Sequence, residues 1–315
     1  PHGIRPLSVA KRSEDGQGDD YAFASEDVAF GINGFQKLRD VKPGEAMLVD
    51  LDGNLHEFQA VEGKLTPCIF EYVYLARPDS LLDGISVYKT QMRMGQTLAE
   101  QIKEAGFDID RIIPVPDSAR PVALEVAKSM GIPYREGLVK NRYVGRTFIM
   151  PGQAERKKSV RRKLNAINLE FKDKNVLLID DSIVRGNTIK KIVQMCREAG
   201  AKKVYVASAS PPVKYPNVYG IDMPTKHELI ANGRDNDAIR KDLGCDALIY
   251  QKLEDLVWAA KEGNPDIEHF DCSCFDGKYI TGSVSENYLD QLEQSSRVSA
   301  KIKDMPSPKT MAKTA

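Results

Sequence analysis

The short apolar run Val176 to Ile179 leads straight into two carboxylates, Asp180 and Asp181, then a turn through Ser182 and Gly186, then a helical repeat starting near Thr188. The run is too short and too continuously apolar to be a helix, so it reads as a strand buried on both faces. Strands of that kind belong to parallel sheets covered by helices on two sides, and the fold class that follows is α/β. Ile189, Ile192, Val193 and Cys196 fall at i, i+3, i+4 and i+7, and Gly200 sits where a helix would stop. That spacing predicts an amphipathic helix near 188–199.

The turn therefore feeds a helix N-terminus, where unpaired N–H groups and the positive end of the dipole favour an anion. Gly186 permits close approach, and Ser182 and Thr188 add hydroxyl donors, so a phosphate monoester suits this place. Asp180 and Asp181 would repel a phosphate unless a cation or sugar hydroxyls lay between. Taken alone, the acidic pair is equally compatible with a solvated turn. The Gly-x-x-x-x-Gly-Lys-Ser/Thr loop of nucleotide triphosphatases is absent.

The residues Val176 to Thr188 resemble the phosphoribosylpyrophosphate (PRPP) signature of type I phosphoribosyltransferases. Four further stretches, Phe70 to Ser80, Lys140 to Ile149, Tyr219-Gly220-Ile221-Asp222 and Pro1 to Leu7, narrow the resemblance to the amidophosphoribosyltransferase family, and it runs from residue 1 to about 290. The resemblance implies a type I phosphoribosyltransferase parallel sheet with flanking helices over 66–290. Before it, residues 1–65 are expected to be the closing part of an N-terminal-nucleophile glutaminase domain, whose opening part and catalytic cysteine should precede residue 1. A disordered tail is expected over 291–315, where the sequence is rich in Ser, Lys and Met and has no periodicity.

Independent features agree with this division. Residues 1–65 carry short strand-like runs broken by Gly and Asp-Gly turns, and an antiparallel arrangement is expected there. From about residue 84 helices and buried strands alternate, with helices predicted near 86–105, 119–130, 235–243 and 252–262 and strands at 111–115 and 203–208. The strand at 111–115 delivers Asp117 and Ser118 to the carboxyl edge of the sheet. By themselves these two read as a helix N-cap; by resemblance Asp117 lies in the pyrophosphate loop as a PRPP-binding residue and Ser118 contacts magnesium. Tyr219 to Asp222 reads as a plain turn from Gly220 alone, and by resemblance as a loop beside the cleft.

Nine Lys or Arg residues against one acid, Glu155, mark the segment Lys140 to Lys163. On charge alone this is a solvated face or a nucleic-acid patch. The resemblance implies instead a loop that brings Lys140, Tyr143 and Arg146 to PRPP as catalytic groups. It also implies that Asp180 and Asp181 hold ribose hydroxyls and Mg2+, and that Ser182, Gly186, Asn187 and Thr188 seat the 5′-phosphate. Asn187 departs from the family's usual threonine, and somewhat weaker PRPP binding is the most this should cause.

The activity implied is formation of 5-phosphoribosylamine and pyrophosphate from PRPP and ammonia derived from glutamine, the first committed step of purine synthesis. Since Pro1 offers no nucleophile, residues 1–315 are expected to use free ammonia only. The resemblance further implies purine nucleotide feedback inhibitors and a homo-oligomer. Some family members hold an iron–sulfur cluster on four cysteines. Here Asn217 occupies one ligand position, so no cluster is expected, and Cys68, Cys196, Cys245, Cys272 and Cys274 read as reduced packing thiols. Zero formal net charge argues against nucleic acid, and no apolar run approaches the roughly 20 residues of a membrane span. No signal peptide is seen, and a cytoplasmic setting is expected. A PRPP-binding regulator or an inactive fragment are the other readings. A regulator should carry a DNA-binding module, and none is visible.

Overall fold

The computed structural model describes residues 1–13, 18–141, 164–223 and 225–293. Three antiparallel strands open it, β1 (Ser8–Ser13), β2 (Asp19–Ala24) and β3 (Gln36–Asp40), ordered β2-β1-β3. A separate antiparallel pair follows, β4 (Glu45–Val49) and β5 (Leu55–Gln59). The antiparallel expectation for residues 1–65 is met.

The larger part starts with α1 (Val87–Ala105), whose N-cap Ser86 accepts from the Lys89 N–H. Next come β6 (Arg111–Pro114), α2 (Arg120–Met130) and the antiparallel ribbon of β7 (Leu138–Lys140) with β8 (Leu164–Ala166). The remainder is β9 (Asn175–Asp180), α3 (Asn187–Glu198), β10 (Lys203–Ser208), α4 (Asn236–Leu243), β11 (Ala247–Tyr250) and α5 (Leu253–Lys261). Strands β11, β10, β9 and β6 lie in that order in one parallel sheet. Each predicted helix and strand of this part is present within a residue or two of its expected ends. Residues 286–293 are helical, and the rest of the expected tail, 294–315, lies outside the described residues.

All six residues of β9 are buried. Alternation divides them between two cores, as a strand's period of two requires. Leu177 and Ile179 pack with Met94, Leu98 and Ile102 of α1, Val122 and Val126 of α2, and Leu256 of α5. Val176 and Leu178 pack with Ile189, Ile192 and Val193 of α3 and with Ile239 and Leu243 of α4. Burying each of these side chains contributes about 1.5–3 kcal/mol, so a polar residue at any of them would undo one layer.

Topology decides where a ligand can sit. From β6 the chain crosses α2 and returns beside the same strand's outer edge, where Tyr134 forms a parallel bridge with Ile112. It then re-enters on the other side of β6 as β9. The connections thus leave β6 in opposite directions, which opens a crevice at the carboxyl ends of β6 and β9. Among the described residues no helix is long and apolar enough to cross a membrane.

Candidate functional site

β9 ends in an acidic residue, and the polar pair Asp117 and Ser118 follows β6 after Val115 and Pro116. Asp180 closes β9 and is 8% exposed, and Asp181 beside it is 6% exposed. Burial drives the Asp180 carboxyl well above its ordinary range, and the neighbouring Asp181 charge pushes the same way. Asp181 is also raised by burial, but the hydroxyls of Ser118 and Ser182 oppose the shift. Ser182 Oγ donates to Asp181 Oδ1 at 2.7 Å, and Ser118 Oγ donates to Asp181 Oδ2 from the end of β6. Across the switch point, then, one carboxyl group is clamped by two hydroxyls, and its neighbour, which accepts from the Asp181 N–H at 3.1 Å, sits where burial disfavours its charged form. Two such acids call for a cation or for hydroxyl donors.

Ser118 does not cap α2. The residue before the helix is Ala119, which makes no side-chain capping bond, and the serine hydroxyl is turned to Asp181 instead. The N-cap reading of Asp117 and Ser118 is corrected accordingly: a buried carboxylate outcompetes a backbone N–H for the hydroxyl.

Beyond Asp181 the chain turns through Ser182, buried Ile183 and Gly186 into α3. Gly186 has φ 74°. A Cβ there would lie 2.3 Å from Ile230 Cδ1, the end of a side chain that would have to turn aside, while the left-handed backbone is what calls for glycine. Ile230 also donates its N–H to the Val184 carbonyl at 2.9 Å, and Glu228 pairs with Arg185 at 3.3 Å. The turn is braced from the segment after β10. Asn187 and Thr188 begin the helix and are exposed, and the first-turn N–H groups have no intrahelical acceptor.

Next to Ser118 in the chain, Asp117 meets Lys140, the last residue of β7, with Nζ 2.9 Å from Oδ2. Its other oxygen lies 3.3 Å from Arg120. Sequence reading put Arg120 at the end of the pyrophosphate loop without a contact of its own, and gave no role to Glu228 or Ile230. For Arg120 a signal existed: it stands three residues after Asp117, one helical turn along. Tyr143 and Arg146 lie outside the described residues.

The three groups Asp180, Asp181 and Ser118 could share a magnesium ion. Hard oxygen donors suit that ion, and two carboxylates with one hydroxyl leave positions for ligand oxygens and water. Among the described residues no group of three or more His, Cys, Asp or Glu side chains is placed to hold a metal. The five cysteines are free and buried. Burial pushes Cys272 and Cys196 up to about 12 and Cys245 to about 11, and it also raises Cys68 and Cys274. Asn217 accepts from the N–H groups of Tyr219 (2.7 Å) and Ile221 (3.4 Å), which shapes the Tyr219–Asp222 loop.

Comparison with known proteins agrees with this geometry. Residues 88–220 match the phosphoribosyl transferase domain. The amidophosphoribosyltransferase of Pseudomonas aeruginosa is 55% identical over 306 residues, covering 96% of this chain and 61% of that protein. That of Escherichia coli is 55% identical over 296 residues, covering 93% of this chain and 59% of that protein. The chain thus spans about three fifths of the length of the curated relatives it matches. Among solved structures, the glutamine PRPP amidotransferase of B. subtilis, complexed with ADP and GMP, superposes with a TM-score of 0.75 at 40% identity, covering 89% of this chain and 60% of that one.

Proposed function

We propose that the chain is a member of the amidophosphoribosyltransferase family and that it transfers the phosphoribosyl group of PRPP to ammonia, giving 5-phosphoribosylamine and pyrophosphate for purine synthesis. One observation carries the reading. Asp180 and Asp181 stand at the end of β9, the chain runs on from them into the N-terminus of α3, and Ser118, which bonds Asp181, adjoins Asp117 with its partners Lys140 and Arg120. PRPP has the same layout: a 5′-phosphate, a ribose with free hydroxyls, and a pyrophosphate on C1.

In this reading Ser182, Gly186, Asn187 and Thr188 seat the 5′-phosphate on the first turn of α3. Asp180 and Asp181 accept from the ribose hydroxyls. Asp117 and Ser118 form the pyrophosphate loop, and Lys140, joined through the family resemblance by Tyr143 and Arg146, offsets the charge that develops on the leaving group. Magnesium, held by Ser118, Asp180 and Asp181, supplies further neutralisation of that charge when bound. The displacement at C1 passes through a loose transition state with oxocarbenium character and inverts the anomeric centre. Ammonia attacks as a neutral nucleophile, so no general base is needed.

Residues 1–315 on their own are proposed to take ammonia from solution, because a thioester nucleophile must be an accessible thiolate and all five thiols are buried and raised. Free thiols also support a cytoplasmic setting. Purine nucleotides as feedback ligands and assembly into a homo-oligomer complete the proposal, the first supported by the ADP and GMP of the B. subtilis protein. The test is pyrophosphate release from PRPP and magnesium with ammonium chloride or glutamine as donor. Ammonia-dependent release is expected, with none from glutamine. PRPP that binds without turnover would contradict the transferase reading.

A further inference from the structure

Asp117 raises a difficulty for any site that takes pyrophosphate. It is next in the chain to Ser118, whose hydroxyl reaches Asp181, and its half-exposed carboxylate adds a negative charge to the loop that the pyrophosphate must approach. A carboxylate there repels an incoming polyanion. The structure answers the difficulty with two cations. One oxygen of Asp117 is taken by Lys140 at 2.9 Å and the other by Arg120 at 3.3 Å. Arg120 has a second anchor, Glu136, at 3.2 Å, and Glu136 is itself held by the Tyr134 hydroxyl at 2.6 Å.

We propose that Asp117 is a resident counter-ion rather than a direct PRPP ligand, holding Lys140 and Arg120 at the pyrophosphate end of the crevice and yielding both to the incoming pyrophosphate. The inference rests on the PRPP reading above and deepens it by adding Arg120 as a pyrophosphate-binding residue. About half of each side chain is exposed: 51% for Asp117, 52% for Lys140 and 47% for Arg120. Exposed ion pairs are weak and screened, so the exchange is easily reversed. Pyrophosphate carries more charge than a carboxylate and presents more acceptor oxygens, so it wins both cations when present. Arg120 stays at the rim through Glu136 while Asp117 changes partners.

The test is a calorimetric titration of the full chain with magnesium pyrophosphate, comparing the parent with Asp117→Asn and Asp117→Ser. Removing the competing carboxylate should tighten pyrophosphate binding on the order of two- to fivefold in both variants, and lower the KM for PRPP. Arg120→Gln and Lys140→Met should each weaken binding. In the double background Arg120→Gln, Lys140→Met, the gain from Asp117→Asn should disappear. Unchanged or weaker binding in both Asp117 variants, with the parent binding normally and melting temperatures equal, would overturn the counter-ion role and leave the PRPP reading standing. A parent chain that bound no magnesium pyrophosphate would overturn both.

Discussion

Asp180 and Asp181 are adjacent in the chain but differ in surroundings, and the difference sorts their roles. Asp181 takes hydroxyl donors on both oxygens, one of them from Ser118, 63 residues away. Replacing Ser118 with Ala would leave a buried acceptor unpaired, a cost of about 1–3 kcal/mol that should appear as a lower melting temperature together with a raised KM for PRPP. Gly186→Ala makes a sharper prediction, because it puts a Cβ on a left-handed backbone and obliges the end of the Ile230 side chain to turn aside. It should destabilise the chain by roughly 1–3 kcal/mol and cost most of the PRPP affinity, and Ile230→Val in the same background should restore part of the stability. The sequence assigned Gly186 to ligand approach alone. Its packing against Ile230 was not legible there, since the contact is set by where the segment after β10 returns and not by local spacing.

At the scale of elements, β9, its turn and α3 were readable almost to the residue, because hydrophobic period, acidic pair and helix stop all lie within one continuous stretch. The ends of β6 and α2 were read less well. A serine before a helix ordinarily caps it, and only the parallel pairing of β6 with β9 shows that Asp181 claims the hydroxyl. The joint between the N-terminal strands and the sheet was not foreseen at all. Arg5 pairs there with Glu71, which is 4% exposed on the helical turn Glu71–Leu75. Burial lifts Glu71 to about 7 despite the attraction of Arg5, and lifts nearby Asp83 to about 6. A carboxyl raised on folding binds a proton that the unfolded chain has released. Its stabilising contribution is therefore complete below the ordinary range near 4.5 and is lost as pH rises through 7. For Glu71 the span is on the order of 3 kcal/mol. Melting temperature should fall between pH 5 and pH 8, and Glu71→Gln should flatten that slope.

Across the whole molecule, apolar burial is uneven. The parallel sheet is enclosed by two cores, whereas Ile32, Leu38, Leu51 and Phe58 on and between the N-terminal strands are exposed by half or more of their surface. Fewer buried contacts mean cheaper local opening, so limited proteolysis should cut within 1–65 first and leave a resistant core beginning near residue 66. That cleavage pattern would also locate the boundary expected from the sequence. The central claim concerns the crevice between β6 and β9, and titration of PRPP with and without magnesium tests it most directly, on the parent chain and on an Asp180→Asn, Asp181→Asn variant. Magnesium-dependent binding that falls at least about a hundredfold in the variant, with its melting temperature maintained, is the predicted result. PRPP binding that ignores both the metal and the two substitutions would contradict the account.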